Sequence, residues 1–465
     1  MTESSELLEK VIKNDYCIGC GACASVAGST FRIKMDEYGN VVAEAGSDPE
    51  QSNARVMDIC PFSDKAPSED KISDRFFPSV NSNDKWIGKY LECYAGYVDE
   101  GLFREKGSSG GVGKWLGYTL LSEKKVDYLV QLHAKESGEP GDPLFSYKII
   151  SDKDEVISGS KSSYYPSTLV DVVRKLKDKE GSYAITGIPC FVKTLRLLSL
   201  RDKELAERIK YTIGVICGGM KSANHSKLIA WQLGVKPGDL VAIDFRRKYD
   251  DRPASNKIYQ VWSSDNEKER YRDAARIFGT DWGSGYFKPN ACDFCDDVVG
   301  ETADISIGDA WLPGYVNDPR GTSVIVIRNT DLAELFKKHI EKGSIVMDGI
   351  SAADVKKSQD GGFRHRREGL SHRLSKLEKS GKWHPPKRVK PGDFDIDRKR
   401  KRIYDLREKI SKQSHLSAQK ALQNDNLEIF FREMLPLKKK YRSAYYGKRY
   451  IRALRRIKRM ILPAK

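Results

Sequence analysis

"SYAITGIPCFVKTLRLLSLRDKELAERIKYTIGVICGG", residues Ser182–Gly219, is the stretch on which the fold turns. Two short apolar runs, SYAIT and YTIGVI, bracket a longer segment in which Leu195 and Leu198 recur at helical spacing, so the stretch reads strand, helix, strand. Cys190 falls at the carboxyl end of the first strand and the start of the helix, and Cys217 ends the second strand. If the strands are parallel neighbours, both thiols emerge at one edge of the sheet, where open α/β sheets build their sites. A helix amino terminus is also expected to lower the thiolate pKa of Cys190.

Outward from this unit the same alternation continues. "CYAGYV", "GVGKWLGYTLL" and "VDYLVQL" read as strand, helix and strand, "LFSYKIISDKDEVI" as a hairpin, and "LVDVVRKL" as a helix. "LVAIDFRRK" and "KIYQVWSS" look like more antiparallel strands, and "ADISIGDAW" like a buried one. The fold class expected is therefore α/β, a mixed and partly parallel sheet with helices packed on it. The 465 residues exceed one ordinary core. They divide into a ferredoxin-like iron-sulfur module at 1–75, an oxidoreductase core at 76–350, a polar connector at 351–395 containing "GGFRHRR" and "HPPK", and a basic helical tail at 396–465.

The net charge is +16, but twelve Lys and Arg and no acid fall between Lys438 and Lys465. Basicity thus belongs mainly to the tail, and the usual inference from a basic chain to nucleic acid is weakened. No apolar run is long enough to span a bilayer, and Met1 to Tyr16 reads as a polar helix and not a signal peptide. A cytoplasmic chain is expected, in which the nine cysteines stay reduced and serve metal binding or catalysis instead of disulfides.

Three of these thiols, Cys17, Cys20 and Cys23, are spaced C-x2-C-x2-C, which lets a short turn present three sulfurs to one iron-sulfur cube. The fourth ligand expected is Cys60, in the Cys-Pro pair of "DICPF". A zinc site is the alternative, although it normally shows two separated C-x2-C pairs. Cys190 and Cys217, with Cys292 and Cys295 of "NACDFCDD", make a second set of four for another 4Fe-4S cluster. Singly, Cys190 and Cys217 would read as buried structural thiols. Cys93, inside an apolar strand, is left as core. No Ser-His-Asp arrangement, kinase motif or H-E-x-x-H occurs, and the seven histidines lie outside the cysteine motifs.

The set "REKGSSGGV" (Arg104 to Val112), "SGSKSSYYPS", "TGIPC", "ICGG", "CDFCDD" and "ADISIGDAW" resembles the family formed by the beta subunits of coenzyme F(420) hydrogenases and dehydrogenases, to which the plant 7-hydroxymethyl chlorophyll a reductase also belongs. The likeness runs from about residue 10 to 345. It implies an FAD-containing electron-transfer protein. "GSSGGVG", opening a helix, offers backbone N–H groups to a diphosphate, although it is not G-x-G-x-x-G and an ordinary glycine loop is the alternative. Carried onto this chain, Ser108, Ser109, Gly110 and Gly111 would line the flavin phosphates. Arg104 and Lys161 are carried over too, each against the alternative of a solvated surface charge, and Asp309 either serves the flavin or caps a turn. Members with basic carboxyl-terminal extensions resemble those of bacterial cell-surface polysaccharide clusters, whose implied reductant is ferredoxin.

Three readings remain at this level: a flavin and iron-sulfur oxidoreductase, a non-catalytic electron-relay or coenzyme F(420)-dependent subunit of a larger complex, and a zinc-stapled binding protein. On a helix from about Lys448, Tyr450, Ile451, Leu454, Ile457 and Ile461 would share one side, with Arg452, Arg455, Arg456 and Arg459 around the others. That pattern suits an anionic membrane surface, with packing on the body and, less so, nucleic acid as alternatives.

Overall fold

The computed structural model describes residues 2–46, 49–135, 141–249, 251–264 and 270–447. Among the described residues eight strands form one mixed sheet: β1 (Glu92–Val98), β2 (Tyr128–Ala134), β3 (Phe145–Ile150), β4 (Tyr183–Gly187), β5 (Ile209–Val215), β6 (Ile305–Asp309), β7 (Ser323–Ile327) and β8 (Ile345–Gly349). Their order is β8-β1-β7-β6-β5-β4-β2-β3. The central strands β2, β4, β5 and β6 are mutually parallel, with Thr186 opposite Ile213 and Ile213 opposite Ile305. The outer pairings are antiparallel. The α/β class is thus observed.

Strand alternation sends neighbouring side chains to opposite faces. Ala184, Tyr211, Ile213, Ile305 and Ile325 pack with Trp115, Leu116 and Leu120 of α1 (Val112–Ser122) and with α5 (Thr330–Glu341). On the other face Tyr183 and Ile185 meet α2 (Val170–Asp178) and α3 (Pro189–Arg201). Pro189 stands in the first turn of α3, where its missing N–H leaves no bond unmade. α4 (Ala223–Gln232) leads into a separate antiparallel sheet of Leu240–Arg247, Ile258–Ser263 and Arg270–Asp273.

Several expectations are corrected. β3 pairs with β2, and the presumed second arm of its hairpin, Glu155–Ile157, lies in a 3-10 helix, Lys153–Ser158. The Asp152 side chain accepts from Asp154 N–H, a local bond that favours a helical turn over a strand. The amino-terminal thiol region shares its core with the body: Leu7, Val11, Ile59 and Ile72 belong to one buried cluster with Phe191, Leu195 and Leu370. The segment read as a polar connector is largely helical, with α6 (Gly369–Lys379), and it buries Phe363, Leu370 and Leu374.

The described part of the tail is a helical hairpin, α7 (Arg398–Gln423) and α8 (Leu427–Tyr446), with Asp397 capping Arg400 N–H at 2.6 Å. Its apolar side, including Ile410, Ala418, Phe430 and Met434, packs against Leu228, Tyr286 and Phe287 of the body. The helix expected from Lys448 lies outside the described residues. Phe430 stacks on Phe287 at 5.6 Å and meets Phe278 edge-on. Phe430→Ala should therefore cost on the order of 3–5 kcal/mol, read as a lowered Tm with a matching fall in denaturant midpoint. An unchanged Tm would mean that the hairpin does not hold the body.

Candidate metal and cofactor site

Cys17, Cys20, Cys23 and Cys60 line one small cavity closed by apolar side chains such as Leu7, Val11, Ile33 and Phe62. The chain bends between the first three thiols at Gly19 and Gly21, whose φ values of +71° and +91° are left-handed. A side chain at Gly21 would also lie 2.5 Å from Thr168 Oγ1. Backbone N–H groups turn toward the sulfurs: Ala43 N donates to Cys17 Sγ at 3.3 Å, and the Thr194 hydroxyl reaches Cys20. Burial pushes the Cys17 thiol up to about 11 and raises Cys20, Cys23 and Cys60, with the other thiols adding to the shift of Cys23 and Cys60. Such groups give up their protons when a metal takes the sulfur.

The second set converges from three places at the carboxyl edge of the sheet. Cys190 comes from the first turn of α3, Cys217 from the end of β5, and Cys292 and Cys295 from the turn Asn290–Phe294 and its exit. Burial, then Cys295, Cys217 and Cys292, push Cys190 well above its ordinary value, with Cys20 of the first set contributing too. The two groups of four adjoin: Cys20, Cys23 and Cys292 belong to one buried cluster, with Cys17, Cys60 and Cys190 packed against it. The lowering expected of Cys190 from its helix terminus is overturned, because burial and three close thiols outweigh a partial helix charge. Cys292 is raised to about 12 by burial. Gly219 N donates to Cys217 Sγ at 3.3 Å. Arg366, which carries no motif in the sequence, donates to Cys295 Sγ at 2.9 Å.

Among the described residues no three His, Cys, Asp or Glu side chains are arranged to hold a single metal ion. Four sulfurs around one cavity, approached by N–H donors, suit the separate corners of a cubane better than ligands meeting on one zinc. Cys93 lies in β1 with its pKa raised by burial to about 12 and joins neither group.

The candidate flavin residues meet at the same edge. Arg246 connects two of them: it donates twice to the Asp309 carboxylate, at 2.7 and 3.0 Å, and once to the Ser108 carbonyl at 2.8 Å. Burial opposes ionisation of Asp309, but Arg246 outweighs it and the pKa falls. Ser108 Oγ accepts from Ser162 N and interacts with Ser162 Oγ, at 2.6 and 3.0 Å, and Ser109 Oγ donates to Thr322 O at 2.7 Å. Lys161 pairs with Asp244 at 2.8 Å on the wall of a cleft of about 640 Å³ lined also by Phe145, Ser160, Trp262 and Ser263. Lys248, unremarked in the sequence, donates to the Ser109 and Arg320 carbonyls at 2.8 and 2.7 Å, and burial brings its pKa down to about 7. Tyr164 packs edge-on to Trp282 at 4.6 Å and accepts from Lys257 at 3.2 Å.

Two candidates have other partners. Arg104 is 6% exposed, donates to Gly321 O at 2.9 and 3.1 Å, pairs with Asp318 at 2.5 Å and lies over the Tyr97 ring. It is a clamp between loops and not a solvated charge. Gly110 N donates to Ser323 Oγ at 3.1 Å, and a side chain there would come within 2.5 Å of Gly96 O in β1. Its lack of a side chain is explained by the sheet. Gly111, with φ of +84°, opens α1.

The α/β sheet thus carries one thiol group at its carboxyl edge, with the other beside it. Residues 93–174 match the amino-terminal part, and residues 180–353 the carboxyl-terminal part, of the family described as coenzyme F(420) hydrogenase/dehydrogenase, beta subunit. The chain belongs to that family. It is 24% identical over 343 residues to the F subunit of the F(420)H(2) dehydrogenase of Methanosarcina mazei, covering 71% of this chain and 83% of that one. It is 23% identical over 365 residues to the coenzyme F(420)-dependent sulfite reductase of Methanocaldococcus jannaschii, covering 75% of this chain and 49% of that one. A chain of the F(420)-reducing [NiFe] hydrogenase complex from Methanosarcina barkeri superposes with a TM-score of 0.49 and 15% identity, over 66% of this chain and 99% of that one. These names are those of oxidoreductases and their subunits. Among the described residues no helix is long and apolar enough to cross a membrane.

Because the Gly110 methyl position falls on β1, Gly110→Ala should lower stability by about 1–3 kcal/mol whether or not a flavin is present. Thermal unfolding of cofactor-depleted protein checks this, and an unaltered Tm would return Gly110 to a ligand role.

Proposed function

We propose that this chain is an FAD- and iron-sulfur-dependent oxidoreductase that passes electrons between a one-electron donor such as ferredoxin and an unidentified substrate. The observation that carries the reading is the gathering of eight cysteines from separate stretches into two adjoining groups of four, beside the Ser108–Arg246–Asp309 contact. Cys17, Cys20, Cys23 and Cys60 would hold one 4Fe-4S cluster, and Cys190, Cys217, Cys292 and Cys295 the other. Ser108, Ser109, Gly111 and Lys161, with Arg246 held by Asp309, would face the FAD, which when bound supplies the change from one-electron to two-electron chemistry. The cleft beside Lys161 and Asp244 would admit the substrate. The apolar walls around the first group keep water from the thiolates.

After anaerobic purification the protein should carry about eight irons, as two four-iron clusters, and noncovalent FAD. Cys292→Ser with Cys295→Ser should about halve the iron, and Arg246→Met should lower flavin occupancy with iron retained. Iron, sulfide and flavin analysis with absorbance spectra decides this. Unchanged iron in the double variant would remove the second ligand set from the proposal, and full flavin in Arg246→Met would remove the flavin edge.

The names of the relatives favour a second reading, in which the chain is an electron-relay subunit of a larger redox complex and coenzyme F(420) is its partner. Turnover by the isolated chain, and stopped-flow reduction by reduced ferredoxin against reduced coenzyme F(420), separate the two. A place in cell-surface polysaccharide metabolism, in the cytoplasm against the inner membrane surface, belongs to the proposal as well. For that part, the full chain should cosediment with anionic vesicles more than with neutral ones, and a form ending at Gly447 should not. Both forms staying in the supernatant at low salt would remove the membrane, and equal binding would remove the tail as its anchor.

A further inference from the structure

The segment "GGFRHRREGLSHR", Gly361 to Arg373, lies beyond residue 353, where the family match ends. It nevertheless grips the loop that carries Cys292 and Cys295. Arg364–Glu368 is a π-helical turn, an uncommon geometry that recurs at functional sites. It turns three successive side chains inward, and His365, Arg366 and Arg367 are all buried. His365 Nε2 stands 3.0 Å from the carboxylate of Asp293, between the two cysteines, and 2.8 Å from Lys288 Nζ. Arg367 pairs with Glu301 at 3.0 Å. From the following helix Arg373 Nε donates to Asp293 O at 2.9 Å.

Arg366 is the member that reaches the sulfurs. It is 2% exposed. One terminal nitrogen, Nη1, donates to Cys295 Sγ at 2.9 Å and to Asp297 O at 2.6 Å, while Nη2 lies 3.6 Å from Cys217 Sγ. Its guanidinium therefore joins two thiols that arrive from different parts of the chain, one after β5 and one in the C-x2-C loop. No acidic side chain pairs with it among the salt bridges of the described residues, whereas Arg367, Arg373 and Arg388 each have a carboxylate partner. A buried cation commonly has an anionic partner, and the groups that face this one are sulfurs.

We propose that Arg366 is a positioning and tuning residue for the second cluster: its charge and its hydrogen bonds to Cys295 and Cys217 raise that cluster's reduction potential above the value its ligands alone would give. This rests on the reading of Cys190, Cys217, Cys292 and Cys295 as a cluster site. Reduction adds a negative charge to a thiolate-bound centre, and a fixed cation with N–H donors at the sulfurs stabilises the reduced form more than the oxidised one. The carboxyl-terminal region thus belongs to the redox centre, although it lies outside the family match.

The test is a potentiometric titration of the full-length holoprotein, followed by EPR, with the amino-terminal cluster as internal reference. Arg366→Met should lower the potential of the second cluster by at least a tenfold change in its reduction equilibrium, about 59 mV for one electron, with the first cluster unmoved. Arg366→Lys keeps a charge but only one point of contact, and should give a smaller drop in the same direction. Unaltered potential in either variant with its iron intact would overturn the proposal. Loss of the second cluster from both variants, with the first retained, would also overturn it, by making Arg366 an assembly residue. A wild-type protein with no second cluster would instead remove the cluster reading itself, before any variant is compared.

Discussion

The parallel pairing of β4, β5 and β6 is the constraint on which the site depends. Thr186, Ile213 and Ile305 lie abreast, so the three strands reach their carboxyl ends together. Cys190, Cys217 and Asp309 consequently leave the sheet at one edge, from three points far apart in the chain. β1 runs the same way, because it is antiparallel to β7 and β7 to β6. That places the Ser108–Gly111 turn beside Thr322 and Ser323 at the same edge. Hydrogen-bond register, not local sequence, is what assembles thiols, serines and carboxylate.

A second requirement is charge balance inside the protein. Burial makes Cys17, Cys20, Cys23, Cys60, Cys190, Cys292 and Cys295 resist ionisation, and several cations nearby are paired with carboxylates. Lys193 pairs with Glu69 at 3.0 Å, Arg196 with Asp304 at 2.7 Å, and Arg388 with Glu301 at 2.6 Å and Asp70 at 2.9 Å. The first links the amino-terminal region to α3, and the others reach the loop that follows Cys295. Buried pairs of this kind add little net stability, because desolvation offsets attraction, but breaking one leaves a stranded charge. They therefore fix one arrangement of segments more than they strengthen it. Arg246 with Asp309 follows the same logic at the candidate flavin edge.

The grouping of the thiols was readable from the chain because short spacings and a lone Cys-Pro pair restrict which sulfurs can meet. Cys17, Cys20 and Cys23 announce their shared turn, and Cys60-Pro61 supplies a matching fourth. The apolar runs of β4, β5 and β6 were readable for a similar reason, since a strand buried on both faces leaves an almost continuous hydrophobic run. The hairpin after Phe145 was misread because the apolar pair Val156–Ile157 does not reveal its partner, and the local Asp152 bond decided for a helical turn. The supposed connector was misread because its composition is polar. His365, Arg366 and Arg367 are buried all the same, each against a partner more than sixty residues away in sequence.

The order of amino acids carried eight cysteines in patterned groups, an α/β alternation and a family signature from "GSSGGV" to "GDAW", which together pointed to redox chemistry. Which residues surround those groups was settled by folding in three dimensions. Arg366, Arg246, Lys248 and Thr194 carry no motif, and their contacts span long sequence separations. A cation's role depends on what it faces once water is removed, and only folding sets that. The same reason separates Gly110, whose missing side chain makes room for β1, from a glycine kept for a ligand.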